Sequence, residues 1–174
     1  MTLTTALIAY GLAAGLLTIT PGLDTAMILR TAAVEGPRRG AMAALGILGG
    51  CLAWGAAVAL GLGVVLAASR TAYTALRFAG AAYLLWLGAS LILKPRTSFD
   101  LTAARGGGGA NWWLRGFLNN LLNPKIGVFY VSFLPQFVPA GFSPPPFIFL
   151  LALIHVAMGL VWAGVLIAAT APPH

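Results

Sequence analysis

Two ionisable side chains lie beside prolines inside apolar stretches of the chain. Asp24 follows Pro21-Gly22, and Lys125 follows Pro124. An ionised carboxylate at the centre of a bilayer costs about 2.5–3.5 kcal/mol on insertion scales, so a chain keeps one where it faces a partner or a wet cavity. Opposite charges also suit a zwitterionic solute. Its ammonium would lie near Asp24, and its carboxylate near Lys125 or an exposed helix N-terminus.

The neighbouring prolines predict breaks in membrane helices. Proline lacks the N–H of the helical ladder and clashes with the preceding turn, and Gly22 lets the chain bend at the first break. Interrupted apolar segments in both halves of a membrane protein point to a transport site. Both breaks lie at a similar distance from a basic stretch. We therefore expect Asp24 and Lys125 to lie at similar depth, to face a common cavity and to pair with each other.

Asparagines surround the second break. Asn120 and Asn123 are three residues apart, which would place them on one helix face, and Asn119 adds a further amide. Amides inside a membrane need partners from the protein, because lipid offers none. Two interpretations stay open. The amides bind a solute together with the flanking charges, or they only satisfy the broken backbone at Pro124 and hold the helices together.

Other polar or small residues favour packing over chemistry. His155 is interpreted as a packed or hydrogen-bonded histidine rather than a proton carrier. Gly46 and Gly50 have the GxxxG spacing that permits close helix contact. The single Cys51 offers neither a disulfide framework nor a metal cluster. No pattern of Ser, His and Asp suggests a nucleophile, so we expect neither an enzyme nor a cofactor or metal.

The composition is typical of a membrane protein with several spans. Of the 174 residues, 60% are hydrophobic and 7% are charged, whereas a soluble chain carries about 25% charged residues. The net charge of +7 would suggest nucleic acid as the partner of a soluble chain. Here the basic residues lie between apolar runs, where they set topology. We expect an all-α helical bundle in a single membrane domain, residues 1–174, with no nucleic-acid partner.

Five apolar runs predict the membrane spans. They cover approximately residues 3–29, 41–67, 73–93, 112–138 and 147–169. A helix rises about 1.5 Å per residue, so runs of this length can cross a hydrocarbon core of ~30 Å. The first and fourth runs contain the proline breaks described above. The fourth is interrupted again at Pro135-Gln136.

The charges between the runs predict the orientation of the chain in the membrane. The loop at residues 30–39, with its turn signal Gly36-Pro37, and the flexible linker at 94–111 are basic. The turns at 68–72 and 139–146 carry little charge. The positive-inside rule places the basic loops in the cytoplasm and the N-terminus outside. Because the start of the chain lacks a basic region, it is not interpreted as a signal peptide.

Four segments along the chain match a known pattern. They are Thr20-Pro21-Gly22-Leu23-Asp24, Gly36-Pro37-Arg38-Arg39-Gly40, Asn120-Leu121-Leu122-Asn123-Pro124-Lys125 and Phe133-Leu134-Pro135-Gln136-Phe137. With this order and spacing, the chain resembles the LysE/RhtB family of amino-acid exporters. The resemblance implies an inner-membrane secondary exporter of amino acids or related metabolites, driven by the proton motive force. It further implies that the following residues line the transport path: Pro21, Gly22, Asp24, Asn120, Asn123, Pro124 and Lys125.

The chain departs from the family pattern in two ways. Leu23 stands where the family often has the second proline of a Pro-Gly-Pro motif, which should leave the break less rigid. The family usually has six spans in a 3+3 inverted repeat, whereas five are predicted here, so the last family helix is expected to be absent. Either the chain is a shortened member or a homo-oligomer covers the exposed face of the fifth span. A cation exporter of the wider superfamily and a non-transporting membrane remnant remain alternatives.

Overall fold

Prolines, glycines and capping side chains divide the chain into helices. The computed structural model describes residues 1–68, 70–93 and 111–170. The helices are α1 (Leu3–Ile19), α2 (Leu23–Glu35), α3 (Pro37–Ala68), α4 (Arg70–Leu93), α5 (Trp112–Leu121), α6 (Pro124–Phe133), a 3-10 helix (Leu134–Phe137) and α7 (Pro144–Ala169). The predicted all-α bundle with broken first and fourth spans is therefore confirmed.

The first break lies where the proline predicts it. α1 ends at Ile19, and Thr20 has an extended backbone because a residue before proline disfavours the helical region. Gly22 is the N-cap residue of α2, and it offers no side chain to cap the helix. The axes of α1 and α2 differ by 49°. The first span is thus two half-helices that meet at an angle.

The second break follows from capping chemistry. α5 ends at Leu121, and Asn123 is the N-cap of α6, where its side-chain oxygen accepts the N–H of Lys125 at 3.1 Å. Pro124 occupies the first position of α6, where a missing N–H costs nothing. The further interruption predicted at Pro135-Gln136 appears as the 3-10 helix.

The predicted loop at residues 30–39 is wrong. α2 continues to Glu35 and α3 begins at Pro37, so Gly36 alone connects them. Gly36 has a φ of 94°, a backbone conformation that favours glycine. Glu35 and Arg39 form an ion pair of 2.7 Å across this connection. Polar residues at the end of a helix and polar residues in a loop have the same hydropathy, which explains the error.

Other predicted turns also belong partly to helices. α4 begins at Arg70, within the predicted turn at 68–72, and Ser69 lies outside the described residues. α7 begins at Pro144, within the predicted loop at 139–146, because prolines are tolerated in the first turn of a helix.

The predicted linker at 94–111 lies outside the described residues except for Asn111. That residue caps α5, with its side-chain oxygen accepting the N–H of Leu114 at 3.0 Å. The start of α5 is therefore defined by a local hydrogen bond.

Two helices within the described residues are long and apolar enough to cross a membrane on their own. They are the Pro37–Gly61 part of α3 and the whole of α7. The bent pair of α1 and α2 forms a third candidate span. The total of five spans stays a prediction.

α3 is the centre of the bundle, packing against α2, α5 and α7, while α4 packs on α6 and α1 on α7. The approach of α3 to α5 requires glycine. A Cβ atom at Gly46 would clash with the carbonyl oxygen of Trp113, and one at Gly50 would clash with the Asn120 side chain. The close contact predicted from the GxxxG spacing is confirmed.

The main apolar core joins α1, which precedes the first break, and α6, which follows the second, with α3 and α7. Its largest buried side chains include Tyr10, Tyr130 and Leu151. The Tyr10 hydroxyl donates a 2.8 Å hydrogen bond to the carbonyl oxygen of Leu151, which links α1 to α7. This core holds the two breaks next to each other.

Candidate functional site: a polar cavity at the two helix breaks

Asp24 is the point at which the two breaks meet. Its carboxylate accepts hydrogen bonds from the side-chain amides of Asn119 at 2.7 Å, Asn120 at 2.8 Å and Asn123 at 3.2 Å. Asp24 also lies in the first turn of α2, where the positive end of the helix dipole favours a carboxylate. Donors to an ionised acceptor form stronger hydrogen bonds than neutral pairs do. These contacts explain how the chain holds an acid inside a broken span.

Lys125 makes no direct ion pair or hydrogen bond with Asp24, so the two charges of the cavity interact only through space. Its ammonium donates instead to the carbonyl oxygens of Leu17 at 3.1 Å and Thr20 at 2.8 Å, at the end of α1. In a continuous helix, the Leu17 oxygen would accept the N–H of residue 21, and Pro21 has none. The negative end of the α1 dipole also attracts a cation. Asp24 at the first break is therefore bound by amides at the second break, and Lys125 at the second break is bound by carbonyl groups at the first.

Asn120 and Asn123 do not share a helix face, so that prediction is wrong. Asn120 lies in the last turn of α5, whereas Asn123 lies beyond the end of that helix and caps α6. Both still reach Asp24, because the break turns the chain between them. Asn123 satisfies the broken backbone and binds the acid at once. Its role in holding the helices together is confirmed, and its binding of a solute stays a prediction.

A cavity of about 60 Å³ lies between the breaks, lined by residues of α1, α2, α3, α6 and α7. Asp24 and Lys125 both line it, as predicted. Its other polar lining residues are Thr18, Thr20, Thr25, Cys51, Asn123 and His155. One water needs about 10–15 Å³ of such a cavity, so it has room for roughly five waters.

The predicted site residues fall into three groups. Those that line the cavity are Gly22, Asp24, Asn123 and Lys125. Asn120 is fully buried and contacts the cavity through Asp24. Pro21 and Pro124 are exposed and do not line this cavity; they end one helix and begin another. The prolines therefore shape the site without facing it.

Some residues of the site had no clear signal in the sequence. His155 lines the cavity and shares a 2.9 Å hydrogen bond with the Tyr130 hydroxyl, which confirms its interpretation as a hydrogen-bonded histidine. Cys51 accepts a 3.4 Å hydrogen bond from Asn120. The indole N–H of Trp162 is buried without a partner among the described residues. Helical periodicity groups such residues on one face, but it does not say which face lines a cavity.

Comparison with known proteins assigns the chain to a family. The profile of the LysE type translocators matches residues 16–173. The chain belongs to the LysE type translocator family. The resemblance inferred from the motifs is therefore confirmed. Because this family consists of translocators, the expectation of a transporter rather than an enzyme is confirmed by the same finding.

Similar LysE family members include one of unassigned activity and two named efflux proteins. The chain is 32% identical to the membrane protein YrhP of Bacillus subtilis, over 90% of this chain and 79% of that protein. It is 29% identical to a leucine efflux protein of Klebsiella pneumoniae, over 79% and 66% of the two chains. It is 34% identical to a homoserine/homoserine lactone efflux protein of Salmonella typhi, over 75% and 63%.

The matched region covers 66% and 63% of the two efflux proteins, so the chain spans less than two thirds of their length. No solved structure matches the chain significantly.

Proposed function

We propose that the chain is a secondary-active exporter of amino acids or related small metabolites, driven by the proton motive force across the bacterial inner membrane. The observation that carries this proposal is one cavity lined by both Asp24 and Lys125 at two opposed helix breaks. Interrupted helices around a polar cavity are a common design of secondary transporters. The efflux activities named for its relatives support the direction of transport.

Asp24 provides the acceptor for the ammonium of the substrate. One carboxylate oxygen accepts a single amide donor, from Asn119, and the other accepts two. A carboxylate oxygen can accept two hydrogen bonds, so the first oxygen keeps one acceptor position for the substrate. Asp24 is the one carboxylate among the described residues that line the cavity. A cationic group of the substrate therefore has a single place to bind.

Lys125 and the start of α2 provide the donors for the carboxylate of the substrate. The Lys125 ammonium has three N–H donors, of which two bind the carbonyls of α1. Gly22 supplies no capping side chain, so the first N–H groups of α2 are available for an anion. A Cβ atom at Gly22 would lie 3.4 Å from the ammonium nitrogen, which shows how close the two positive features are.

The proposal also includes the orientation of the chain in the membrane. The basic residues on either side of Gly36 support an orientation with the α2–α3 connection in the cytoplasm and the N-terminus outside. Lipid and a second copy of the chain would cover the apolar side chains exposed on α1 and α7, such as Leu12 and Val161. Transport would then alternate access to the cavity from the two membrane faces.

A cation exporter, the other transporter considered from the sequence, has no specific support. Among the described residues, no group of His, Cys, Asp and Glu could hold a metal ion. A lone cation would bring no carboxylate for Lys125, whose ammonium lines the same cavity as Asp24.

Uptake of labelled amino acids into inverted membrane vesicles tests the proposal. Vesicles containing the full chain should accumulate at least one neutral amino acid under a proton gradient, and a protonophore should abolish the accumulation. Asp24→Asn and Lys125→Met should lose this uptake. Arg115→Met should keep it, because Arg115 stacks on Trp112 away from the cavity. A chain that inserts normally but moves no amino acid would contradict the proposal and favour the non-transporting remnant.

A further inference from the structure

The cavity has two chemically different ends. Its polar end contains Asp24, Asn123, Lys125 and His155. The opposite end, here called the apolar end, is lined by Ile28, Ala44, Ile47, Ala163 and Leu166, with Trp162 packed against them. The five aliphatic side chains form a buried cluster, none more than 7% exposed.

Helix geometry separates the two ends. At a rise of about 1.5 Å per residue, Ile28 lies roughly 6 Å along α2 from Asp24. On α7, Leu166 lies roughly 16 Å along the axis from His155. Because the apolar cluster joins α2, α3 and α7, all three helices lead away from the charges and converge on the same apolar walls. A solute held at the polar end would extend its remaining atoms between those walls.

Among the described residues, the apolar end contains no charged side chain. Asp24 is bound by the asparagines, and Glu35 is paired with Arg39 outside the cavity. A second ammonium, such as that of a basic side chain, would be desolvated there without compensation. A side-chain carboxylate would find one neutral donor there, the indole N–H of Trp162, and no cation.

We propose that the apolar end is a side-chain subsite, and that the substrate is a neutral amino acid with an aliphatic side chain of about leucine size. The proposal rests on the proposed function, because it assumes that the polar end holds the zwitterion. The cavity volume limits the size. Room for roughly five waters, each about 30 Å³ in the liquid, corresponds to one small to medium-sized amino acid.

Counterflow in proteoliposomes containing the full chain tests the substrate class. Exchange is measured in parallel with labelled leucine, threonine, lysine and phenylalanine. Leucine should exchange fastest, and unlabelled valine, isoleucine and methionine should compete with it. Lysine and phenylalanine should compete at least about 10-fold more weakly, because a mismatch in an apolar pocket costs at least that factor.

The outcomes separate the two proposals. Equal or faster exchange of lysine, threonine or phenylalanine would overturn the aliphatic subsite, while amino-acid transport would still stand. Absence of exchange for every amino acid would overturn the proposed function and the subsite together.

Two substitutions change the volume of the subsite in opposite directions. Ala163→Leu fills it and should shift the preference toward alanine by about 10-fold. The matched change Ala157→Leu, on the exposed side of the same helix, should leave the preference unchanged. Ile28→Ala enlarges the subsite and should improve exchange of phenylalanine relative to leucine. An unchanged preference in Ile28→Ala would contradict the subsite even if Ala163→Leu failed to insert.

Discussion

Lys125 binds backbone carbonyl groups at the end of α1, a helix to which it does not belong. Its ammonium binds the carbonyl oxygens of Leu17 and Thr20, of which the first lost its helical donor to Pro21. The same ammonium lines the cavity. A substrate carboxylate that takes the third N–H of Lys125 would therefore be linked through one ammonium to the end of α1 and to the geometry of the first break.

Lys125→Met should destabilise the protein as well as stop transport. The substitution leaves two partly buried carbonyl groups without this donor, and an unmet polar group costs up to about 1–3 kcal/mol when it is buried. Thermal unfolding of the purified variant in detergent should show a lower midpoint than the wild type. Lys125→Arg, which keeps donors in place, should recover most of the loss. Equal midpoints for Lys125→Met and the wild type would contradict the capping role.

Asp24 and Asn119 should be energetically coupled through their 2.7 Å hydrogen bond. A double-mutant cycle of Asp24→Asn and Asn119→Ala should give a coupling energy of about 0.5–3 kcal/mol, because contacting residues in one network are not additive. Reversible unfolding by SDS titration from mixed micelles measures it. Additive effects, within about 0.5 kcal/mol, would show that the amide does not support the acid.

The sequence predicted the residues of the site better than their partners. Asp24 and Lys125 were identified because buried charge is costly and proline breaks a helix. Their bonds were not predictable in the same way. The acceptors of Lys125 are backbone carbonyls of a distant helix, and every residue has one. The sequence identified Asn119 only as an additional amide, because its contact with Asp24 depends on how α5 lies against α2.

At the scale of elements, the contact of α3 with α5 positions the second break. Gly46 and Gly50 allow the backbones to approach, and Asn120 then reaches Asp24 from the end of α5. Cys51, one residue after Gly50, contacts the same asparagine. The glycines therefore act on the site through the position of a whole helix.

Gly46→Ala should destabilise the bundle, because the added methyl meets the backbone of Trp113 and Phe117, which cannot rotate away. Overpacking of this kind typically costs about 1–3 kcal/mol. Gly164→Ala on α7 is the matched control, since nothing lies within 4 Å of its Cβ position. It should be neutral or stabilising by up to about 1 kcal/mol. Thermal unfolding in detergent compares the two, and equal losses would contradict the close helix contact.

Helix breaks were predictable from the sequence, but helix ends were not always. Breaks at Pro21 and Pro124 follow from the covalent structure of proline, which acts wherever the residue stands. The continuation of α2 to Glu35 was missed because a polar helical turn and a polar loop have the same composition. Only the positive φ of Gly36, and the ion pair across it, show where the helix really ends.

At the scale of the whole molecule, the proposed orientation can be measured by labelling. In a Cys51→Ala background, Arg38→Cys in the first turn of α3 should react with an impermeant maleimide only from the cytoplasmic side. Ala140→Cys, in the exposed turn before α7, should react only from outside. Intact spheroplasts and inverted vesicles give the two accessibilities. The reverse pattern would contradict the topology.

The central claim is that two opposed helix breaks form one site for a zwitterion. Competition during counterflow tests it most directly, using the amino acid that is exchanged and two analogues, one without the ammonium and one without the carboxylate. The intact amino acid should compete at least about 10-fold better than either analogue, because a site built to bind a polar group rejects a ligand that lacks it. Equal competition by a singly charged analogue and the amino acid in the wild type would contradict the account.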